Sequence, residues 1–111
     1  MFAAHHGLNN LTAVIDRNKL QSMKTTEETL SLEPLRDKLI AFGWNVIEVD
    51  GHDHDELFSA IDSDTKKPKV IIANTIKGKG VSFMENEIAW HYRTPNGSVF
   101  DQAMKDLGEK I

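Results

Sequence analysis

At 111 residues, 40% hydrophobic and 27% charged, the chain has the make-up of one small globular domain. Its formal net charge of −4 argues against a nucleic-acid or anionic-membrane surface, and no apolar run approaches the length of a membrane span. With no cysteine there is neither a disulfide framework nor a thiolate metal site, which fits a cytoplasmic protein.

Residues 1–6 read as the last turns of a helix, with His5 and His6 at its end and Gly7 as its stop. A helix that starts at Met1 without a capping residue suggests that upstream sequence is missing. Residues 11–15 (Leu-Thr-Ala-Val-Ile) form a short apolar run, expected to be a parallel strand covered on both faces. That run breaks into Asp16-Arg17-Asn18-Lys19-Leu20-Gln21, at the carboxyl end of the strand, where open α/β sheets bind ligands. Asp16 and Asn18 there are oxygen donors suited to a hard cation such as Mg2+, or simply a polar turn.

Residues 22–29 lack any period and read as a loop. Ser31 is the expected cap of a helix carrying Leu32, Leu35, Leu39 and Phe42, with Gly43 as its stop. Residues 44–49 are the second strand. Asp53 with Glu56 predicts a capping box for a third helix, which carries Leu57, Phe58 and Ile61. A polar linker follows, and residues 69–75 form the third strand. Strand and helix alternate, so the expected fold is α/β, a mostly parallel sheet with flanking helices. Residues 76–97 then show no period, and a loop that long in a compact domain is functional or disordered. Ser98 and Asp101 suggest the cap of a last helix carrying Val99, Ala103, Met104 and Leu107.

Three constellations bear on chemistry. Lys77-Gly78-Lys79-Gly80 lets backbone approach an anion beside two cations, although the spacing is not that of a Walker loop and a flexible turn explains it as well. Trp90-His91 could cover a ligand and donate to an oxyanion, or the indole could simply anchor the loop. His52, Asp53 and His54 invite a zinc reading, but Asp53 is more simply a helix cap and its neighbours diverge. The best site read from residues joins Asp16 and Asn18 to the Lys77 turn under Trp90-His91, for a cation with a polyphosphate.

Several ordered segments resemble the transketolase family of thiamine-diphosphate enzymes. They are residues 10–21 (Asn-Leu-Thr-Ala-Val-Ile-Asp-Arg-Asn-Lys-Leu-Gln), Leu32-Glu33-Pro34-Leu35, Ala41-Phe42-Gly43-Trp44, Val49-Asp50-Gly51-His52-Asp53 and Thr75-Ile76-Lys77-Gly78-Lys79-Gly80. The chain looks most like the N-terminal, thiamine-diphosphate-binding subunit of a split transketolase, truncated at its N-terminus. The resemblance makes residues 1–111 a single partial domain, the C-terminal part of the cofactor-binding fold, lacking the upstream Gly-Asp-Gly half of the motif. It assigns Mg2+ the Asn18 side chain and the Leu20 carbonyl, making Asp16 a neighbour instead of the main ligand. It assigns the cofactor Asn18, Leu20, Lys77, Gly78 and His91, with His91 also as the catalytic residue. Lys24 stands where relatives often have glycine.

The activity implied is transfer of a two-carbon ketol unit between sugar phosphates. It needs a pyrimidine-binding C-terminal subunit for the activating glutamate, so the chain alone is expected to be inactive. A fragment of a deoxyxylulose-phosphate synthase-like enzyme, and a non-catalytic interaction module or remnant, are the other readings. An uncovered sheet edge beside residues 11–15 predicts oligomers or poor solubility.

Overall fold

The computed structural model describes residues 1–108. In chain order the elements are α1 (Phe2–His5), β1 (Thr12–Arg17), α2 (Thr26–Thr29), α3 (Leu35–Ala41), β2 (Asn45–Asp50), α4 (His54–Asp62), β3 (Lys69–Asn74), a 3-10 turn (Ile88–His91) and α5 (Gly97–Gly108). They fall into two compact units. The first joins Met1–Arg17 to Ser31–Thr75, and the second joins Asn18–Leu30 to the residues from Ile76 onward. No helix among the described residues is long and apolar enough to cross a membrane.

The first unit is a three-stranded parallel sheet in the order β1-β3-β2, as the alternation of strand and helix predicts. Its centre is β3, where Val70, Ile71, Ile72 and Ala73 are all buried. Side chains pointing to both faces of that strand are covered, so its apolar run carries no polar alternation. Ile71 and Ala73 pack with Val49 of β2 and Ala60 of α4, flanked by Ile47 and Leu57. Burying a branched side chain of this kind contributes about 1.5–3 kcal/mol.

The run at 11–15 is a strand, shifted to Thr12–Arg17, but it is not covered on both faces. It is an edge strand whose exposure alternates, and Val14 is 55% exposed. At its end Arg17 is buried and its guanidinium pairs with Glu33. Glu33 uses its other carboxylate oxygen to accept from the Leu35 N–H at 3.0 Å, the first N–H of α3. That helix therefore starts three residues later than the expected Leu32. The backbone of a residue preceding proline is pushed out of the helical region, and Glu33 precedes Pro34. The Lys38 ammonium instead holds the Leu32 and Glu33 carbonyls, at 2.9 and 3.0 Å.

The glycine stops behave as read. Gly43 has φ +89, the Trp44 N–H returns to the Leu39 carbonyl, and an added Cβ would lie 2.8 Å from that of Ala4. Asp53 caps α4 by accepting from the Asp55 and Glu56 N–H groups. Glu56 does not complete the expected box, because its carboxylate accepts from the Asp50 N–H at 2.8 Å.

The other end of α4 is closed by a residue the sequence did not single out. Lys69, 3% exposed, donates to the carbonyls of Ala60 (2.8 Å), Ile61 (2.6 Å) and Ser63 (2.8 Å). The last carbonyls of a helix lack internal partners, and a cation is favoured there by the helix dipole. Lys69→Met is expected to destabilise the fold by about 2–3 kcal/mol, since charge-assisted bonds are lost and carbonyls are left unpaired. Urea unfolding followed by circular dichroism measures it, and an unchanged midpoint would reject the role.

Candidate functional site

The second unit is built from two loops and the helices α2 and α5. The first loop opens on Asn18, directly after β1. The Asn18 side-chain oxygen accepts from the Leu20 N–H at 2.9 Å, and Lys19 between them takes φ +63. A left-handed conformation costs a non-glycine residue about 1–2 kcal/mol, which the local hydrogen bond helps to offset. Strain of this kind, held by its surroundings, is a mark of functional loops. The loop is fastened by the Thr26 N–H on the Lys19 carbonyl and the Gln21 N–H on the Lys24 carbonyl, both at 3.0 Å.

Residues 26–29, expected as loop, form α2. The signal was in the sequence: Thr25 and Glu28 make a reciprocal capping box. Lys24 does not take a positive φ, so its backbone has no need of a glycine.

The second loop starts at Lys77. Gly78 takes φ +72, and an added Cβ would lie 2.6 Å from the Met84 carbonyl oxygen. The Asn86 N–H closes this turn on the Lys77 carbonyl at 2.9 Å. The Gly80 N–H is occupied by the Glu85 carboxylate at 3.0 Å, so it is not offered to an anion. Farther on, Ser82 donates through its N–H and its hydroxyl to Asp106 of α5, at 2.9 and 2.8 Å.

Trp90 serves as an anchor. Its indole N–H donates to the Phe83 carbonyl at 3.0 Å, and the two rings meet edge to face at 5.2 Å. Of the two readings of Trp90-His91, the anchoring one describes the indole. The imidazole of His91 is next along the turn.

Asn18, Leu20, Lys77 and His91 line one cavity of about 180 Å³, together with Gln21, Ser22 and Ile88. Four of the five residues singled out as site residues therefore converge. Gly78 does not line it, and acts by shaping the turn beside Lys77. Asp16 belongs to the other unit, where its carboxylate accepts from the Thr75 hydroxyl. Gln21 and Ser22 were not singled out. Their only signal was membership of the polar run after the first strand. Chemically the lining residues offer one ammonium, one imidazole, two side-chain amides and a hydroxyl, an arrangement suited to an anion paired with a hard cation. Among the described residues no group of three or more His, Asp or Glu side chains could hold a metal by itself.

Residues 1–108 match the family model described as transketolase, thiamine diphosphate binding domain. The chain is 43% identical to an apulose-4-phosphate transketolase subunit of Phocaeicola vulgatus, over all of this chain and 41% of that one. It is also 43% identical to the 6-deoxy-6-sulfo-D-fructose transketolase subunit SqwG of a Clostridium species, over 96% of this chain and 40% of that one. The chain thus spans about two fifths of the length of these relatives. The crystal structure of transketolase from Campylobacter jejuni superposes with a TM-score of 0.84 at 27% identity, covering 96% of this chain and 17% of that one.

The packing at Gly78 sets a test of the turn. Gly78→Ala adds a Cβ against backbone in a left-handed conformation, and overpacking of that kind costs about 1–3 kcal/mol. Faster tryptic cleavage after Lys77 and Lys79 is expected, with far-ultraviolet circular dichroism close to wild type. Equal cleavage rates would show that the turn tolerates the methyl group.

Proposed function

The chain belongs to the transketolase family, in its thiamine diphosphate-binding domain, and from that premise we propose that it forms the diphosphate- and cation-facing part of a split transketolase. The observation that supports this most is the convergence of Asn18, Leu20, Lys77 and His91 on one small cavity. In this reading the Asn18 amide oxygen and the Leu20 carbonyl would hold Mg2+. The amide oxygen keeps a second lone pair beyond the bond it accepts from Leu20. Two oxygen donors are fewer than Mg2+ takes, so a carboxylate from elsewhere would be needed besides the cofactor and water. No Gly-Asp-Gly segment occurs in these 111 residues. In the reading, that carboxylate comes from the Gly-Asp-Gly half of the motif, and residues 1–111 are one partial domain.

The Lys77 ammonium would serve the diphosphate as a counter-charge, and Gly78 keeps the chain folded tightly beside it. The His91 imidazole would donate to a diphosphate oxygen, and it could hold or move a proton at a sugar oxygen. When bound, thiamine diphosphate supplies the carbon nucleophile through which a two-carbon ketol unit passes from a ketose to an aldose. The protein groups named here orient it and neutralise its charge. A pyrimidine-binding companion subunit, sugar phosphates as substrates and a cytoplasmic setting belong to the same reading. The relatives named for apulose-4-phosphate and 6-deoxy-6-sulfo-D-fructose make a phosphorylated or sulfonated sugar the substrate class to test first.

The test is reconstitution of the chain, extended upstream by a Gly-Asp-Gly segment, with the companion subunit, thiamine diphosphate and Mg2+. Asn18→Ala is expected to raise the Mg2+ requirement at least about tenfold, the scale of losing one element of a metal's coordination. His91→Ala is expected to lower kcat/KM by about a hundredfold, as for loss of one donor to developing charge. Calorimetric titration of the 111-residue chain alone is expected to show no micromolar binding. Micromolar binding without a partner, or indifference to both substitutions, would overturn the reading. Inactivity of every reconstituted form would favour a non-catalytic remnant.

A further inference from the structure

His91 lies on a turn that does not hold itself in place. A 3-10 turn has poor hydrogen-bond geometry, and here the Trp90 N–H and Tyr92 N–H bonds to Glu87 and Ala89 are both 3.3 Å long. The position of the imidazole therefore depends on what its neighbours grip. Trp90, on one side, grips the Phe83 carbonyl and so ties the turn to its own loop. Tyr92, on the other side, reaches 70 residues back along the chain. Its hydroxyl donates to the Ser22 carbonyl at 3.4 Å, two residues past Leu20. Its ring also meets the His91 ring at 4.8 Å and 90°. Tyr92 is 70% exposed, so core burial does not account for its placement.

We propose that Tyr92 is a positioning residue. Its ring braces the His91 imidazole, and its hydroxyl latches the histidine turn onto the loop that carries Asn18 and Leu20. The two sides of the cavity are then held as one arrangement, so that ordering the cation-facing loop also orders the histidine. Order established before binding is affinity gained on binding. The inference rests on the assignment of Asn18, Leu20 and His91 to the cation and diphosphate.

Two variants separate the parts of the latch. Tyr92→Phe keeps the ring and removes the hydroxyl, and Tyr92→Ala removes both. In the reconstituted two-subunit enzyme, Tyr92→Phe is expected to raise the apparent KM for thiamine diphosphate about 2- to 10-fold, the range for losing one neutral hydrogen bond. The rise comes without a matching fall in kcat, whereas Tyr92→Ala lowers kcat as well. Because Tyr92 acts through His91, Tyr92→Phe is expected to have no further effect in a His91→Ala background, a non-additivity that a merely structural residue does not show. A readout free of cofactor is tryptic cleavage after Arg93 in the chain alone, expected to be faster in both variants. A Tyr92→Phe protein with wild-type KM and cleavage, or fully additive effects with His91→Ala, would overturn the latch. If instead Asn18→Ala and His91→Ala leave cofactor affinity untouched, the site assignment itself fails, and the cleavage assay still judges the latch.

Discussion

The first unit depends on one constraint, the burial of β3 on both faces while it is hydrogen-bonded along both edges. A strand in that position can present no polar side chain to either layer, and Val70, Ile71, Ile72 and Ala73 meet the requirement. Its parallel pairing sets the register of both neighbours, so that Arg17, Asn74 and Asp50 end level with one another. At that edge the Gly51 N–H donates to the Asn74 carbonyl at 2.7 Å, and an added Cβ on Gly51 would collide with Thr75. Of the three strands that end there, β1 and β3 lead into the loops that carry the cavity residues.

Those loops are arranged by local chemistry more than by burial. A short side-chain amide turn at Asn18, a left-handed Lys19, a wedged Gly78 and an anchored Trp90 each fix a few residues. The result is a small polar cavity whose donors are oxygen and nitrogen with no thiolate, the chemistry of phosphate and hard cations. Its walls come from segments far apart in the chain, as befits a site on loops held by a scaffold.

What the sequence revealed follows the reach of each signal. Gly7, Gly43 and Asp53 act within one turn of the chain, and each does in the structure what its residue type predicts. The apolar run at 11–15 announced a strand but not the number of faces covered, because hydrophobicity alone does not say what packs against it. Pro34 displaced the start of α3 through a steric rule that the preference for Ser31 as a cap ignored. The Thr25–Glu28 box was legible and was missed because α2 is only one turn long. At the site, residue type and the ends of the strands brought Asn18, the Lys77 turn and His91 together, and resemblance to a family added Leu20 and set Asp16 aside. Gln21, Ser22 and the grip of Tyr92 on Ser22 carried no such signal, since residues 22 and 92 meet only in the folded chain.

The ammonium of Lys69 has a consequence for how this domain tolerates change in length. Surface linkers between a helix and a strand are ordinarily where insertions and labels are accommodated. Here a single side chain at the first residue of β3 reaches back over residues 64–68 to the end of α4, so the segment is bridged at its base. Added residues that bulge outward leave the bridge intact, because extra loop length costs little entropy. Any that shift Ser63 or Lys69 along the chain would unwind the end of the helix and displace the central strand together. A tag or fluorophore in this linker therefore belongs at its middle, around residues 65 and 66, and not at either end.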